Sequence, residues 1–385
     1  MEFLGSICKV FWVQVAVFFV GFCLALIVSP FRLPFDNFIN GLAFTFRAHH
    51  SELIATQHVR RVVIANLLHP IVGVPADEYT IVYGVRGCGK TQAVLEATEG
   101  ACGVMRVHIA NDKPQLSLEI VKRMWLPRDI SVATVDGVLD VLKHTTMLMR
   151  WTHCTETVPT LVVEIEAGTH ADVIYNLFHE IKILCVDVGV CHAIVVLSDA
   201  TAVYALPNDF GRQDFVFLDD MTEDEAHEML LKRGETNKDV RAQMMSKVGT
   251  RATYLISVLK RWSVPVELRK WIDYNAEKAS YMVKDLLFDD NHGTAVLGIF
   301  RSIITSDTTP RQVRLDALDE VSALFGVPKR LAELMKKKNA HVLMYHPDER
   351  SYRFMSVFHE RAAIHLLQQS LNLKKAENSN LPQLL

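Results

Sequence analysis

The sequence predicts an α/β protein: a parallel sheet carrying a phosphate-binding loop, followed by helices and a hairpin, and preceded by a membrane-spanning helix. Three observations lead there. Gly84-Val85-Arg86-Gly87-Cys88-Gly89-Lys90-Thr91 fits G-x-x-x-x-G-K-[ST] at every position. From Asp77 to Trp262, short apolar strand-like runs alternate with amphipathic helix-like stretches. Val10–Val28 has Gln14 as its one clearly polar residue, and about nineteen helical residues cross a hydrocarbon core of roughly 30 Å.

At 385 residues the chain has room for two domains and an ample core. Its net charge of −3 gives no global basic field, which disfavours a nucleic-acid partner. The seven cysteines are scattered without a Cys-x-x-Cys pair. They suggest neither a zinc site nor a disulfide framework, and fit a reducing compartment. The expected organisation is a transmembrane anchor over 1–30, a helical linker over 31–75, a nucleotide-binding domain over 76–262, a C-terminal domain over 263–372 and a polar tail over 373–385.

Pro30 stops the apolar N-terminal helix. A cleaved signal peptide is the rival reading, but the apolar stretch is long for one and no small-x-small cleavage site follows. Lys9 alone precedes the segment, whereas Arg32, Arg47, Arg60 and Arg61 follow it. The bulk of a single-pass protein therefore faces the positive, ATP-containing intracellular side. In the linker, Leu53–Leu68 is helix-like, with Val59, Val62, Val63 and Leu67 spaced to pack on a neighbour. His49-His50 precedes Ser51, which reads as a helix N-cap rather than as part of a metal site.

The nucleotide-binding elements follow in order. A β-rich run, Tyr79–Tyr83, leads into the glycine loop, and a helix from Thr91 to Thr98 leads out. Glycines let backbone N–H groups converge on phosphate oxygens, and the helix start adds its positive dipole end. Lys90 is placed to reach the β and γ phosphates and the Thr91 hydroxyl to ligate Mg²⁺. Gly84, Val85, Arg86, Gly87, Cys88, Gly89 and the following Gln92 complete the expected cradle for ATP. Cys88 reads as a small residue tolerated in the loop. Further strands are read at Gly103–Ile109, Thr160–Ile165 and Ala193–Leu197, and helices at Val135–Met149 and Ala171–Leu184.

Hydrolysis needs carboxylates beside the phosphates. Leu161-Val162-Val163-Glu164-Ile165-Glu166 is an apolar strand ending in acids, and Glu164 and Glu166 share one face about 6.6 Å apart. Glu164 is the expected Mg²⁺ ligand beside Thr91, and Glu166 the residue that orients water. Asp187 is the competing acid. Ser198, after the next strand, is placed to sense the γ-phosphate. Arg212 is a candidate arginine finger, and Arg251 a residue that reaches back to nucleotide; structural ion pairs are the alternative for both.

This set, with Phe217-Leu218-Asp219-Asp220-Met221-Thr222-Glu223-Asp224-Glu225-Ala226, resembles the AAA+ superfamily of P-loop ATPases, in its archaeal-ATPase-like and STAND branch. The resemblance covers about 76–262. It implies a lid beginning at a helix that Thr222 and Glu225 cap as a box. It also implies an ATPase that uses Mg-ATP, acts on a protein client and can form a homo-oligomer. Glu164-Ile165-Glu166 departs from the aspartate that the family usually carries there, so binding is expected more firmly than hydrolysis. A hydrolysis-incompetent adaptor therefore remains open. No Asn-Lys-x-Asp signature of guanine recognition occurs, though GTP remains open.

In the C-terminal region Val264–Met282 and Asp316–Lys338 read as helices, Val342–Tyr345 and Tyr352–Met355 as a hairpin, and Glu360–Leu371 as a helix. Helices followed by a hairpin resemble the winged-helix module that caps this branch. Lys329, Arg330, Lys336, Lys337 and Lys338 raise DNA binding as the alternative to a solvated helix face.

Overall fold

The computed structural model describes residues 78–101, 103–109, 135–153, 158–198, 212–308, 311–318, 325–338, 340–346 and 349–379, with Leu68, Val72, Leu116, Glu119 and Ile120. The apolar segment 10–28, nearly all of the linker and residues 380–385 lie outside them. Among the described residues no helix is long and apolar enough to cross a membrane.

Five strands form one parallel sheet: β1 (Tyr79–Gly84), β2 (Val104–Ile109), β3 (Thr160–Ile165), β4 (His192–Leu197) and β5 (Gln213–Leu218). Their order is β2-β3-β4-β1-β5. β1, β3 and β4 are buried along their whole length, because helices cover both faces. Alternate residues therefore feed two cores. Leu161, Val163 and Ile165 face α2 (Val135–His153) and α3 (Ala171–Lys182). Val162, Val82, Ile194 and Val196 face α1 (Lys90–Ala97) through Ala93, Val94 and Ala97. The helix expected to end at Leu184 becomes a π turn over Ile183–Asp187, which leaves Asp187 exposed and off any strand.

After β5 come three short helices, α4 (Glu223–Lys232), α5 (Lys238–Val248) and α6 (Ala252–Arg261). The capping box at the start of α4 has both its bonds: Thr222 Oγ1 accepts from the Glu225 amide and Glu225 accepts from the Thr222 amide. The C-terminal part holds α7 (Pro265–Leu287), α8 (Gly293–Ile304), α9 (Pro328–Lys338) and α10 (Val357–Ser379), with an antiparallel sheet of β6 (Val313–Arg314), β7 (Leu343–His346) and β8 (Ser351–Phe354) in the order β6-β8-β7. The hairpin was legible. The single helix expected over Asp316–Lys338 is instead a 3-10 turn at Leu315–Ala317 with α9 starting only at Pro328, a residue suited to a first helical turn. α8 was not foreseen, and α10 runs on through what was expected to be tail.

The hairpin packs on the five-stranded sheet. Met344 joins the core under α1. The Arg353 guanidinium lies 4.6 Å from the Phe217 ring centre and donates to Asp219 at 2.6 Å. Beside it, Arg251 donates to both oxygens of Asp220, at 2.8 and 3.0 Å, and to the Met355 carbonyl. Two consecutive aspartates at the tip of β5 are thus each held by an arginine from a different element.

One buried and one half-buried histidine make stability pH-dependent. Burial pushes His192 down to about 4 from 6.5. Burial does the same to His359, with help from nearby Arg251 and Lys278. Both are neutral in the fold, so below pH 6.5 the unfolded chain binds more protons. Stability that is complete above pH 6.5 should fall as the pH drops toward 4, by at most about 1.4 kcal/mol per pH unit for each histidine. Urea unfolding at pH 7.5 and 5.5 checks this; an unchanged midpoint would contradict it.

Candidate functional site

Parallel strands bring their C-terminal ends to one edge of the sheet, and the loops after β1, β3 and β4 open there. The loop after β1 is the glycine loop. Gly84 has φ +148°, and a Cβ on it would lie 2.1 Å from the Leu218 carbonyl oxygen of β5. Gly87 has φ +84°, and its Cβ would lie 2.3 Å from Thr253 Oγ1 on α6. The first glycine lets β1 leave the sheet against β5; the second lets α6, which with α4 forms a lid over the loop, come down on it, where the Thr253 amide donates to the Gly87 carbonyl at 3.3 Å.

Between loop and lid lies a cavity of about 520 Å³, within the range of small-ligand sites. Its floor is Arg86 to Gln92. Glu166 and Ser198 form the side that faces β3 and β4, and Met221, Met229, Arg233, Ala252, Thr253 and Ile256 form the roof. Lys90 is buried, and its Nζ donates to the carbonyls of Gly84 and Val85 at 2.9 Å each. Gly84 and Val85 therefore shape the loop from beneath, while Arg86, Gly87, Cys88, Gly89, Lys90, Thr91 and Gln92 line the cavity. Cys88 is fully buried against the α1 core.

The two glutamates part company. Glu166 follows β3 and lines the cavity. Glu164 does not: Arg106 Nη2 on β2 donates to both its oxygens, at 2.9 and 2.7 Å, and His108 stands 3.7 Å away. Glu164, expected as the metal ligand, thus stands outside the cavity wall with its carboxylate paired to a cation on the neighbouring strand. Thr91 and Glu166 are the oxygen donors on the cavity wall that suit Mg²⁺, a hard cation that keeps several waters and is held by one or two protein oxygens and phosphates.

Neither Arg212 nor Arg251 lines the cavity. Arg212 precedes β5, at the opposite edge of the sheet, roughly 20 Å from the loop along a six-residue strand. Arg251 lies outside the cavity wall. Burial works against its charge, but the adjacent Asp220 outweighs burial and holds its pKa above the ordinary value. The alternative noted for it, a structural ion pair, is the one realised. Two arginines line the cavity: Arg86 of the loop, and Arg233, which the sequence reading missed. Its only sequence signal was its place four residues after Met229 on the lid helix.

No protein-family model matches this chain, and no curated protein matches it. Solved structures similar to it are AAA+ P-loop ATPases. A STAND protein with a tetratricopeptide repeat sensor from Pyrococcus horikoshii is 14% identical, with a TM-score of 0.36 over 82% of this chain and 42% of that one. The chain thus spans less than half of that protein's length. The Drosophila ORC bound to DNA is 12% identical, with a TM-score of 0.38 over 86% and 91%. Thermotoga maritima RuvB is 16% identical, with a TM-score of 0.37 over 80% and 95%. The reading of the site rests on its own residues.

Proposed function

We propose that this chain binds Mg-ATP in the cavity and hydrolyses it to switch the relation between the sheet and the C-terminal helices, acting on a protein client from a membrane anchored through residues 10–28. One observation carries the reading. A glycine loop with Lys90 and Thr91, and the carboxylate Glu166, face a single cavity whose roof is bonded to the C-terminal hairpin. Lys90 and the loop amides would hold phosphates. Glu166 would orient water toward the γ-phosphate, and Mg²⁺ held by Thr91 and Glu166 would supply charge neutralisation when bound. The roof residues Met221, Ala252 and Thr253 adjoin Asp220 and Arg251, so a change at the phosphates reaches the hairpin through neighbouring residues of the same two elements.

The test is phosphate release by Glu166→Gln and Glu164→Gln. Glu166→Gln should keep ATP bound and slow turnover about 100-fold or more. Glu164→Gln should leave turnover within a few-fold and lower stability through the lost partner of Arg106. Equal effects would refute this assignment. ATP binding by the wild type without turnover would favour the adaptor. The anchor fails if carbonate washes the full-length protein from membranes.

One observation favours a second reading. α9 buries Leu331, Ala332, Leu334 and Met335 and leaves Lys329, Arg330, Glu333, Lys336 and Lys337 exposed on its other face. Four of these five are basic, which suits a phosphate backbone. Salt-dependent DNA binding lost on replacing Lys336 and Lys337 would support that reading; no binding at low salt would exclude it.

A further inference from the structure

We infer that Arg233 is a nucleotide-binding residue, a guanidinium on the lid that grips the phosphate chain from the side opposite Lys90. The inference rests on the reading of the cavity as a nucleotide site. Arg233 is the residue on which α4 ends. Its amide donates to the Met229 carbonyl at 3.1 Å, and Gly234 at φ +96° then turns the chain away. Arg233 therefore stands one helical turn beyond Met229 on the same face, and both line the cavity.

A cation at a helix C-terminus has an ordinary explanation in the helix dipole, which such a side chain meets from solvent. Arg233 differs. Its Nε is buried and has no hydrogen-bond partner, and no carboxylate of the described residues pairs with it. The other arginines that hold the structure together, Arg106, Arg251 and Arg353, all have carboxylate partners. A guanidinium set into a cavity wall with an unsatisfied donor is costly unless an anion meets it. The cavity supplies the logic. Arg86, Lys90 and Arg233 line it with Glu166 as the carboxylate among the described residues, a balance that suits a polyphosphate. The planar fork of arginine matches phosphate oxygens in pairs. Neutral acceptors on a base would satisfy the hydrogen bonds but not the charge. Arg233 bound to phosphate would draw α4 toward the loop, so the lid would close more firmly on longer phosphate chains.

The test is calorimetric titration of the full-length chain with ATP, inorganic tripolyphosphate and adenosine, for the wild type, Arg233→Ala, Arg233→Lys and Lys90→Ala. Arg233→Ala should lose tenfold or more in affinity for ATP and tripolyphosphate and leave adenosine unchanged. Arg233→Lys should recover part of the loss, since it restores the charge without the fork. An equal loss for adenosine would make Arg233 a base contact and overturn the proposal, as would ATP affinity within twofold of wild type. Loss of ATP binding in Lys90→Ala alongside an unaffected Arg233→Ala would overturn this proposal and leave the nucleotide reading standing. A wild type that binds neither ATP nor tripolyphosphate would overturn both. Melting temperatures without ligand separate binding from folding; if Arg233→Ala does not fold, Arg233→Lys against wild type decides by the same ligand series.

Discussion

Lys90→Ala should lower ATP affinity at least 100-fold, about 3 kcal/mol. Lys90 is the cation fixed in the floor of the cavity, buried and held by the carbonyls of Gly84 and Val85. Charge-assisted hydrogen bonds to phosphate are worth about 1.5–3 kcal/mol each, and alanine removes every one that Nζ can make. The same change strips two loop carbonyls of a donor, so some loss of stability accompanies it. Titration with ATP below the melting temperature keeps the two effects apart. Affinity within a few-fold of wild type would sink the reading of the loop.

Arg251→Met should cost about 1–3 kcal/mol of folding stability, the usual result of removing a charge-assisted hydrogen-bond partner from a half-buried pair. The Arg251 side chain is 7% exposed and Asp220 29% exposed. The same guanidinium bonds the Met355 carbonyl and lies 5.1 Å from the Tyr254 ring centre. Its loss removes one donor from the Asp220 carboxylate and one from the Met355 carbonyl. Because Ala252 and Thr253 follow it into the cavity wall, ATP affinity should fall as well. Denaturant unfolding of Arg251→Met, Asp220→Asn and the double variant measures the pair; the double variant should be much less destabilised than the sum. Additive losses below 1 kcal/mol in total would show that the contact contributes little.

What the sequence disclosed was local. The loop and its flanking strand and helix were legible because glycines, lysine and threonine do their work within eight consecutive residues. The sheet was legible because β1, β3 and β4 are buried on both faces and so read as unbroken apolar runs. The choice between Glu164 and Glu166 was not legible. They share a face, and what separates them is Arg106, 58 positions away on the adjacent strand. Arg233 was hidden for the opposite reason: a basic residue at the end of a helix is common and says nothing until a cavity is seen beside it. α8 was overlooked although its signal is local: the buried Val296, Ile299, Phe300 and Ile303 stand at i, i+3, i+4 and i+7, the spacing of one helix face. The arginine-to-aspartate contacts at the tip of β5 join the ends of remote elements, where no local pattern marks them.

Those contacts set an order of events during synthesis. Asp219 waits for Arg353, 134 positions later, and Arg251 for the Met355 carbonyl, 104 positions later. Val357 and Phe358, at the start of α10, also pack into the core of the lid. On a ribosome adding roughly 5–20 residues per second, the roof of the site lacks its tether for roughly 10–50 seconds after the glycine loop has emerged. The loop closed by each contact is long, so its entropic cost is met only when the hairpin docks. A nascent chain halted before the hairpin would carry the phosphate loop but an unfinished lid. The candidate site is therefore a late product of translation, completed by residues outside its own lining.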